Sequence, residues 1–271
     1  MAIGGSCQFR AANNYNLSAN HAEGLILARH QIYIKNLESR LPSWRIIKLT
    51  VVNKKTAAPV KISPATCLGL FLSLFAMLLV RQSVSYFWPT LTFAAAIWKE
   101  TLLWISAITL LFIIRRGERL PLASIGLGTS RWWKSILWGL AIAAACGLIG
   151  GILAALSGYG HGPGSAAFEK LPLWLITLIV IRAGVVEELF YRGYAIERLR
   201  AVGLRPAWAA GIPLIIFALG HWTGGAANIL IALALGAILT GFYVWRRDLV
   251  ANMIGHGSVD FVANVLPNLF S

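Results

Sequence analysis

The sequence predicts an all-α protein, a helical bundle that crosses a membrane about seven times. Of its 271 residues, 58% are hydrophobic and 13% are charged, and the mean hydropathy is +0.70. A soluble domain is roughly 45–50% apolar and about 25% charged. The basic residues also cluster in alternate links between apolar stretches, which is the pattern of cytoplasmic loops in polytopic membrane proteins.

The apolar stretches divide the chain into two parts. Residues 1–61 are polar and basic, and we expect a cytoplasmic extension that is disordered or lies on the membrane surface. Residues 62–271 form the membrane domain, with spans predicted at 62–80, 91–114, 136–156, 171–190, 207–222, 227–245 and 249–270. The first and fifth are short for a crossing that needs about 20 residues. We therefore expect these two to be tilted, half-inserted or broken.

The placement of charge predicts orientation and partners. Lysine and arginine are frequent in the first 61 residues and in the links 115–135, 191–206 and 246–248. The intervening links nearly lack them. With seven spans, this alternation predicts a cytoplasmic N-terminus, in the inner membrane if the protein is bacterial. The net charge of +14 favours membrane lipid as a partner. No nucleic-acid recognition motif accompanies it, so nucleic acid is not expected.

Two adjacent carboxylates, Glu187 and Glu188, lie in the apolar fourth span. Ionisable groups at membrane depth cost a few kcal/mol each unless they are paired or wetted. At about 100° per residue of α-helix, Glu188 and Arg192 share a face and can form an ion pair. Glu187 points away from that pair. The spacing therefore predicts one glutamate held by arginine and one free to move a proton.

Later apolar spans carry imidazoles at helical spacing. Phe217 and His221 are four residues apart in the fifth span, and His256 and Asp260 are four apart in the seventh. A free carboxylate, two imidazoles and an acid can activate water by general-base catalysis and stabilise an oxyanion. Each histidine is alternatively an interhelical hydrogen-bond partner, and the polar face of the seventh span is alternatively a helix–helix contact.

Three motifs carry a resemblance to a known family. Residues 187–193 (EELFYRG) resemble the EExxxR motif of the CPBP intramembrane proteases, which include the type II CAAX prenyl endopeptidases and the bacteriocin-processing Abi enzymes. Residues 217–221 (FALGH) resemble the family's FxxxH motif, and residues 256–260 (HGSVD) resemble its Hxxx(N/D) motif. The motifs match in order and spacing, and the resemblance covers roughly residues 120–265. It implies a helical membrane fold with a polar cavity open towards the cytoplasmic leaflet.

The resemblance also implies an intramembrane endopeptidase with assigned residues. Glu187 would be the general base, helped by His221, and His256 with Asp260 would hold the oxyanion. The supporting residues would be Glu188, Arg192 and Phe217. We therefore expect Glu187, His221 and His256 to meet at one cavity.

Asp260 departs from the commoner asparagine of that motif. An amide donates to an oxyanion, whereas an aspartate does so only when protonated. An ionised Asp260 would instead orient His256.

The sequence leaves open whether a metal is bound, which substrate is cleaved and which class of protein this is. Glu187, His221 and His256 could ligate zinc together with a water, but a glutamate can activate water alone, and we prefer the metal-independent site. The substrate would be a peptide or a membrane-bound protein, prenylated in the family's eukaryotic precedent. The alternatives are a non-catalytic immunity or scaffold protein of the same fold and a small proton-coupled transporter. A transporter predicts internal repeats, which the sequence lacks.

Overall fold

The computed structural model describes residues 63–128, 131–159, 168 and 170–270. The predicted extension 1–61 lies outside these residues. Within them the secondary structure is entirely helical, which confirms the all-α fold class. The helices are α1 (Pro64–Phe87), α2 (Phe93–Phe112, followed by a π-helical turn Ile113–Gly117), α3 (Trp132–Ser157), α4 (Leu173–Arg182, then Ala183–Ile196, then Glu197–Ala201), α5 (Pro206–Leu219), α6 (Gly225–Arg246) and α7 (Leu249–Asn264).

Four of these helical stretches are long and apolar enough to cross a membrane. They are Pro64–Phe87, Phe93–Gly117, Trp132–Ser157 and Trp222–Arg246. Only 17% of the apolar window in α3 is buried, so most of its apolar surface is free to face lipid. The protein is therefore an integral membrane protein.

The predicted fifth and seventh spans are shorter than a full crossing. Helix α5 has 14 residues and α7 has 16, which gives lengths of about 21 and 24 Å at 1.5 Å per residue. The hydrocarbon core is about 30 Å thick. The described part of the chain thus has seven helices, of which four meet the requirements of a span.

Helix α1 is longer than predicted, because it runs to Phe87 instead of residue 80. The prediction ended the span at Arg81, since a charge is unfavourable in lipid. In the structure, Arg81 Nη1 donates to the Gly220 carbonyl at 2.9 Å, and its guanidinium also bonds the Thr223 hydroxyl. These partners come from the α5–α6 connection and allow the helix to continue past the charge.

Helix α4 is the central helix of the bundle, and its middle is π-helical. The π segment Ala183–Ile196 has 14 residues, and all but Val185 are buried. It packs against α1, α5 and α7. π-Helical turns are rare, usually span a single turn and are frequent at functional sites. The 100° spacing assumed for the sequence is therefore wrong for this segment, with consequences for Glu187.

Glycines bring α7 close to two neighbours. A Cβ added to Gly184 of α4 would lie 2.9 Å from the Cα of Gly257 in α7, so the two backbones touch there. On the other side of α7, Gly255 faces Ile142 of α3. Small residues at such crossings are what allow membrane helices to approach closely. The Gly184–Gly257 contact also holds the α7 motif beside the α4 motif.

We expect Gly184→Ala to destabilise the protein by about 1–3 kcal/mol, because the new methyl group overlaps backbone that cannot move aside. Gly257→Ala is the matched control, since its added Cβ would lie 3.9 Å from the Gly184 Cα, an ordinary contact. Thermal unfolding of both variants in detergent measures the difference. Equal midpoints for the two variants would show that the close approach is unimportant.

Candidate active site

Glu188 joins α4 to α7. Its Oε1 accepts a hydrogen bond from Arg192 Nη1 at 2.7 Å, which confirms the predicted ion pair. The same carboxylate accepts from Asn252 Nδ2 at 3.0 Å and lies 2.8 Å from His256 Nδ1. Because an ionised carboxylate only accepts, His256 Nδ1 is the donor in this contact. Glu188 is fully buried, so all its partners are on the protein.

Phe217 connects the three motifs through its ring. The Arg192 guanidinium lies over this ring at 4.3 Å from its centroid. The rings of His221 and His256 lie 4.9 and 6.1 Å from it, centroid to centroid. A cation over an aromatic face and edge-to-face ring contacts are favourable arrangements. Phe217 thus has the packing position expected of a supporting residue.

Glu187 is outside the Glu188–Arg192 pair as predicted, but the expectation that it is unpaired is wrong. Its Oε1 accepts from Arg182 Nη1 at 2.5 Å, and Arg182 Nε donates to Glu100 Oε2 at 3.0 Å. In an α-helix Arg182 would point about 140° away from a residue five positions later. In a π-helix the i→i+5 repeat brings the two together.

The Glu100–Arg182–Glu187 triad was missed at the sequence level. Neither Glu100 nor Arg182 is given a role from the sequence alone. The available signal was the presence of one acid and one base in separate apolar stretches, where each needs a partner. All three side chains are at most 10% exposed.

A cavity of about 670 Å³ opens beside this triad, and both Glu187 and His221 line it. Its walls come from α1, α2, α4, α5 and α6. Of the residues that the structure describes, His256 and Asp260 are not among those that line it. The structure thus brings Glu187 and His221 to the cavity and leaves His256 behind it, against Glu188.

His221 follows the end of α5, at the cavity wall. Its Nδ1 lies 2.9 Å from the carbonyl oxygen of Phe217, four residues earlier. A carbonyl can only accept, so Nδ1 carries a proton, and in the neutral imidazole Nε2 then keeps its lone pair. The FxxxH spacing therefore positions the imidazole and fixes its tautomer. The free Nε2 can accept a proton in a reaction at the cavity.

His256 and Asp260 lie on one face of α7, as their spacing predicts. The distance from His256 Nε2 to Asp260 Oδ2 is 3.6 Å, too long for a hydrogen bond. The Asp260 side chain is 30% exposed and that of His256 is 11% exposed. In this structure the orientation of His256 comes from Glu188 and not from Asp260.

The donors do not assemble into a metal site. Within the described ranges, no three His, Cys, Asp or Glu side chains are grouped so that they could hold an ion. One Glu187 oxygen is occupied by Arg182, and His256 Nδ1 is occupied by Glu188. Glu187, His221 and His256, the set considered for zinc, are thus not grouped as a three-residue metal site among the described residues.

Apolar helices that enclose paired carboxylates, imidazoles and a cavity define a membrane protein with a buried site of ionisable residues. Residues 169–262 match the family model of the Rce1-like, type II CAAX prenyl endopeptidases. The match confirms the family predicted from the motifs, and the matched segment, which contains all three, belongs to this peptidase family. No curated protein and no solved structure matched the chain.

The matched segment runs from α4 into α7 and leaves α1 and α2 outside. The cavity nevertheless takes two of its charged residues, Arg81 and Lys99, from α1 and α2. Glu100, the partner of Arg182, also comes from α2. Three of the four charged residues named around Glu187 (Arg81, Lys99 and Glu100) thus come from parts of the chain that the family model does not cover, and the fourth is Arg182.

Proposed function

We propose that the protein is an intramembrane endopeptidase of the CAAX prenyl protease type, in which Glu187 activates a water molecule. The observation that carries the proposal is that Glu187 and His221 line one cavity within the segment that matches the peptidase family. The substrate is a peptide or a membrane-bound protein. The apolar wall residues Leu74, Phe75 and Leu78 favour an apolar or prenylated segment, and membrane lipid surrounds the bundle.

The mechanism follows from the free atoms of the two residues. Arg182 holds Glu187 Oε1, and Oε2 has no hydrogen-bond partner among the described residues. Oε2 takes a proton from water, and the water oxygen forms a bond to the substrate carbonyl carbon. When the C–N bond breaks, the leaving nitrogen takes up that proton. His221 Nε2 accepts a hydrogen bond from the water and orients it.

The oxyanion role remains assigned to α7. With both ring nitrogens protonated, His256 donates Nδ1–H to Glu188. Its Nε2–H would reach the oxyanion only if the imidazole came to face the cavity when substrate binds, because His256 does not line the cavity in this structure. Asp260 lies next to that nitrogen without a hydrogen bond to it. The Glu188–Arg192 pair then supports the reaction by holding His256 in place.

Hydrolysis of a quenched-fluorescence peptide by the purified protein tests the function. The peptide is supplied with and without a prenyl group, and His221→Ala is the inactive reference. We expect turnover to persist after treatment with a metal chelator, because the described residues form no group of three His, Cys, Asp or Glu side chains that could hold an ion. Loss of turnover that zinc restores would overturn the metal-independent mechanism. Absence of turnover would favour a scaffold protein, or a transporter if proton flux is found.

We expect Asp260→Asn to retain or exceed the wild-type rate of hydrolysis. The carboxylate makes no hydrogen bond to His256, and an amide donates to an oxyanion without needing a proton. Rates of the variant and of wild type across pH measure this. A sharp loss of rate in Asp260→Asn would show that an ionised Asp260 is needed to orient His256.

The orientation in the membrane is part of the same proposal. The basic links favour a cytoplasmic N-terminus, which corresponds to the inner membrane in a bacterium. The substrate would then enter from the cytoplasmic leaflet.

A further inference from the structure

The cavity that contains Glu187 carries more positive than negative charge. Of the described residues that line it, the charged ones are Arg81, Lys99, Arg182 and Glu187. Glu100 lies behind Arg182 and adds a second carboxylate. Together these five side chains carry three positive charges and two negative charges. A surplus of charge at membrane depth is unfavourable unless something neutralises it.

The positive charges without a carboxylate partner among the described residues are those of Lys99 and Arg81. Arg182 is neutralised by its two carboxylates. Among the described residues, Arg81 donates hydrogen bonds to neutral acceptors, the Gly220 carbonyl and the Thr223 hydroxyl. Lys99 is half-buried and has neither a hydrogen bond nor an ion pair within the part of the chain that the structure describes.

Lys99 and Arg81 line the same cavity, together with Arg182 and Glu187. Two like charges that face one cavity repel each other, and an anion placed between them relieves this repulsion. An ammonium and a guanidinium are the donors that proteins use for carboxylates. An anionic group of a ligand would therefore be favourable beside this pair.

We propose that Lys99, assisted by Arg81, binds a carboxylate of the peptide whose scissile bond lies at Glu187. This inference rests on the proposed peptidase function and deepens it by naming a specificity-determining residue for the substrate. The carboxylate belongs either to the free C-terminus of the peptide or to an acidic side chain near the scissile bond. Because Lys99 and Glu187 line the same cavity, the bound carboxylate fixes which peptide bond reaches the base.

Lys99 lies outside the segment that matches the peptidase family model. It comes from α2, which the family model does not cover, whereas Glu187 and His221 come from within it. The cleavage chemistry and the selection of the substrate are thus placed on different parts of the chain.

The test compares peptides that differ by one charge. One has a free C-terminal carboxylate, one has a C-terminal amide, and one has the amide plus an aspartate near the scissile bond. We expect wild type to favour a carboxylate peptide over the neutral peptide by about tenfold in KM, a size typical of a hydrogen bond between charged groups. In Lys99→Gln this ratio should fall towards one, and in Lys99→Arg it should be retained.

The control is Lys134→Gln, which removes a half-buried lysine of α3 that stacks on Trp133 and does not line the cavity. It should keep the wild-type ratio. A preference for the peptide with a free C-terminus shows that Lys99 binds the terminal carboxylate, and a preference for the amidated peptide with aspartate shows that it binds an acidic side chain. A preference that survives in Lys99→Gln, or wild type that treats all three peptides equally, overturns the proposal.

Binding of the same fluorescent peptides to the Glu187→Gln variant separates this proposal from the proposed function. Carboxylate-dependent binding that is lost in the Glu187→Gln/Lys99→Gln double variant supports the site even if wild type hydrolyses no peptide. Hydrolysis without any dependence on the carboxylate keeps the peptidase and rejects the role of Lys99. The two failures therefore give different results.

Discussion

Glu187→Gln should abolish hydrolysis and leave the fold intact. The amide keeps the size and polarity of the side chain but cannot accept the proton of the attacking water. General-base catalysis contributes about 10²–10⁴-fold to rates. The rate of hydrolysis in Glu187→Gln should therefore be lower than that of wild type by this factor. Single-turnover hydrolysis of the peptide at saturating enzyme measures the chemical step directly.

The fold should survive because Arg182 keeps a second carboxylate, Glu100, when Glu187 is neutralised. Glu188→Gln is the informative comparison. It removes the carboxylate that pairs with buried Arg192 and that anchors His256, so it should lower thermal stability as well as activity. A Glu187→Gln protein with the full wild-type rate would refute the proposed mechanism. Equal stability loss in both variants would refute the distinction between the two glutamates.

Arg182→Gln should be the most destabilising of these changes. It leaves two carboxylates, Glu100 and Glu187, without their shared cation in a buried site. Removing one partner of a buried ion pair costs about 3–5 kcal/mol, and here one residue serves two acids. We expect a lower yield of folded protein and a lower unfolding midpoint in detergent.

A second substitution tests the cause of this loss. The double variant Glu100→Gln/Arg182→Gln removes one of the stranded carboxylates, so it should recover part of the stability lost in Arg182→Gln. Two contacting residues are expected to behave non-additively in this way. Additive losses, with the double variant less stable than Arg182→Gln, would show that the triad is not a coupled unit.

The features that depend on composition and on spacings of about four residues could be predicted from the sequence. Apolar content predicted the helical membrane bundle, and the i,i+4 spacing predicted the Glu188–Arg192 pair, which is present at 2.7 Å. The FxxxH spacing also corresponds to a real local contact, since His221 bonds the Phe217 carbonyl. These contacts lie within one helical turn, where the chain itself fixes the geometry.

The missed features depend on tertiary structure or on an unusual helix. Glu100 and Arg182 are 82 residues apart in sequence, and no local pattern pairs them. Arg81 remains inside α1 because its acceptors come from a connection 139 and 142 residues away. A π-helical segment has no reliable sequence signature, so the partner of Glu187 could not be deduced from α-helical spacing.

The two arginine–glutamate pairs of α4 require different helical pitches. Arg182 reaches Glu187 across five residues, and Arg192 reaches Glu188 across four. If the segment Ala183–Ile196 were rewound to α-helical pitch, the four-residue pair would persist while Arg182 would rotate about 140° from Glu187. The helical pitch of this one backbone segment therefore determines whether Glu187 is paired with Arg182. A deletion or an insertion between residues 182 and 187 would break the Arg182–Glu187 contact and shift Gly184 against α7, while the four-residue spacing of Glu188 and Arg192 would stay unchanged.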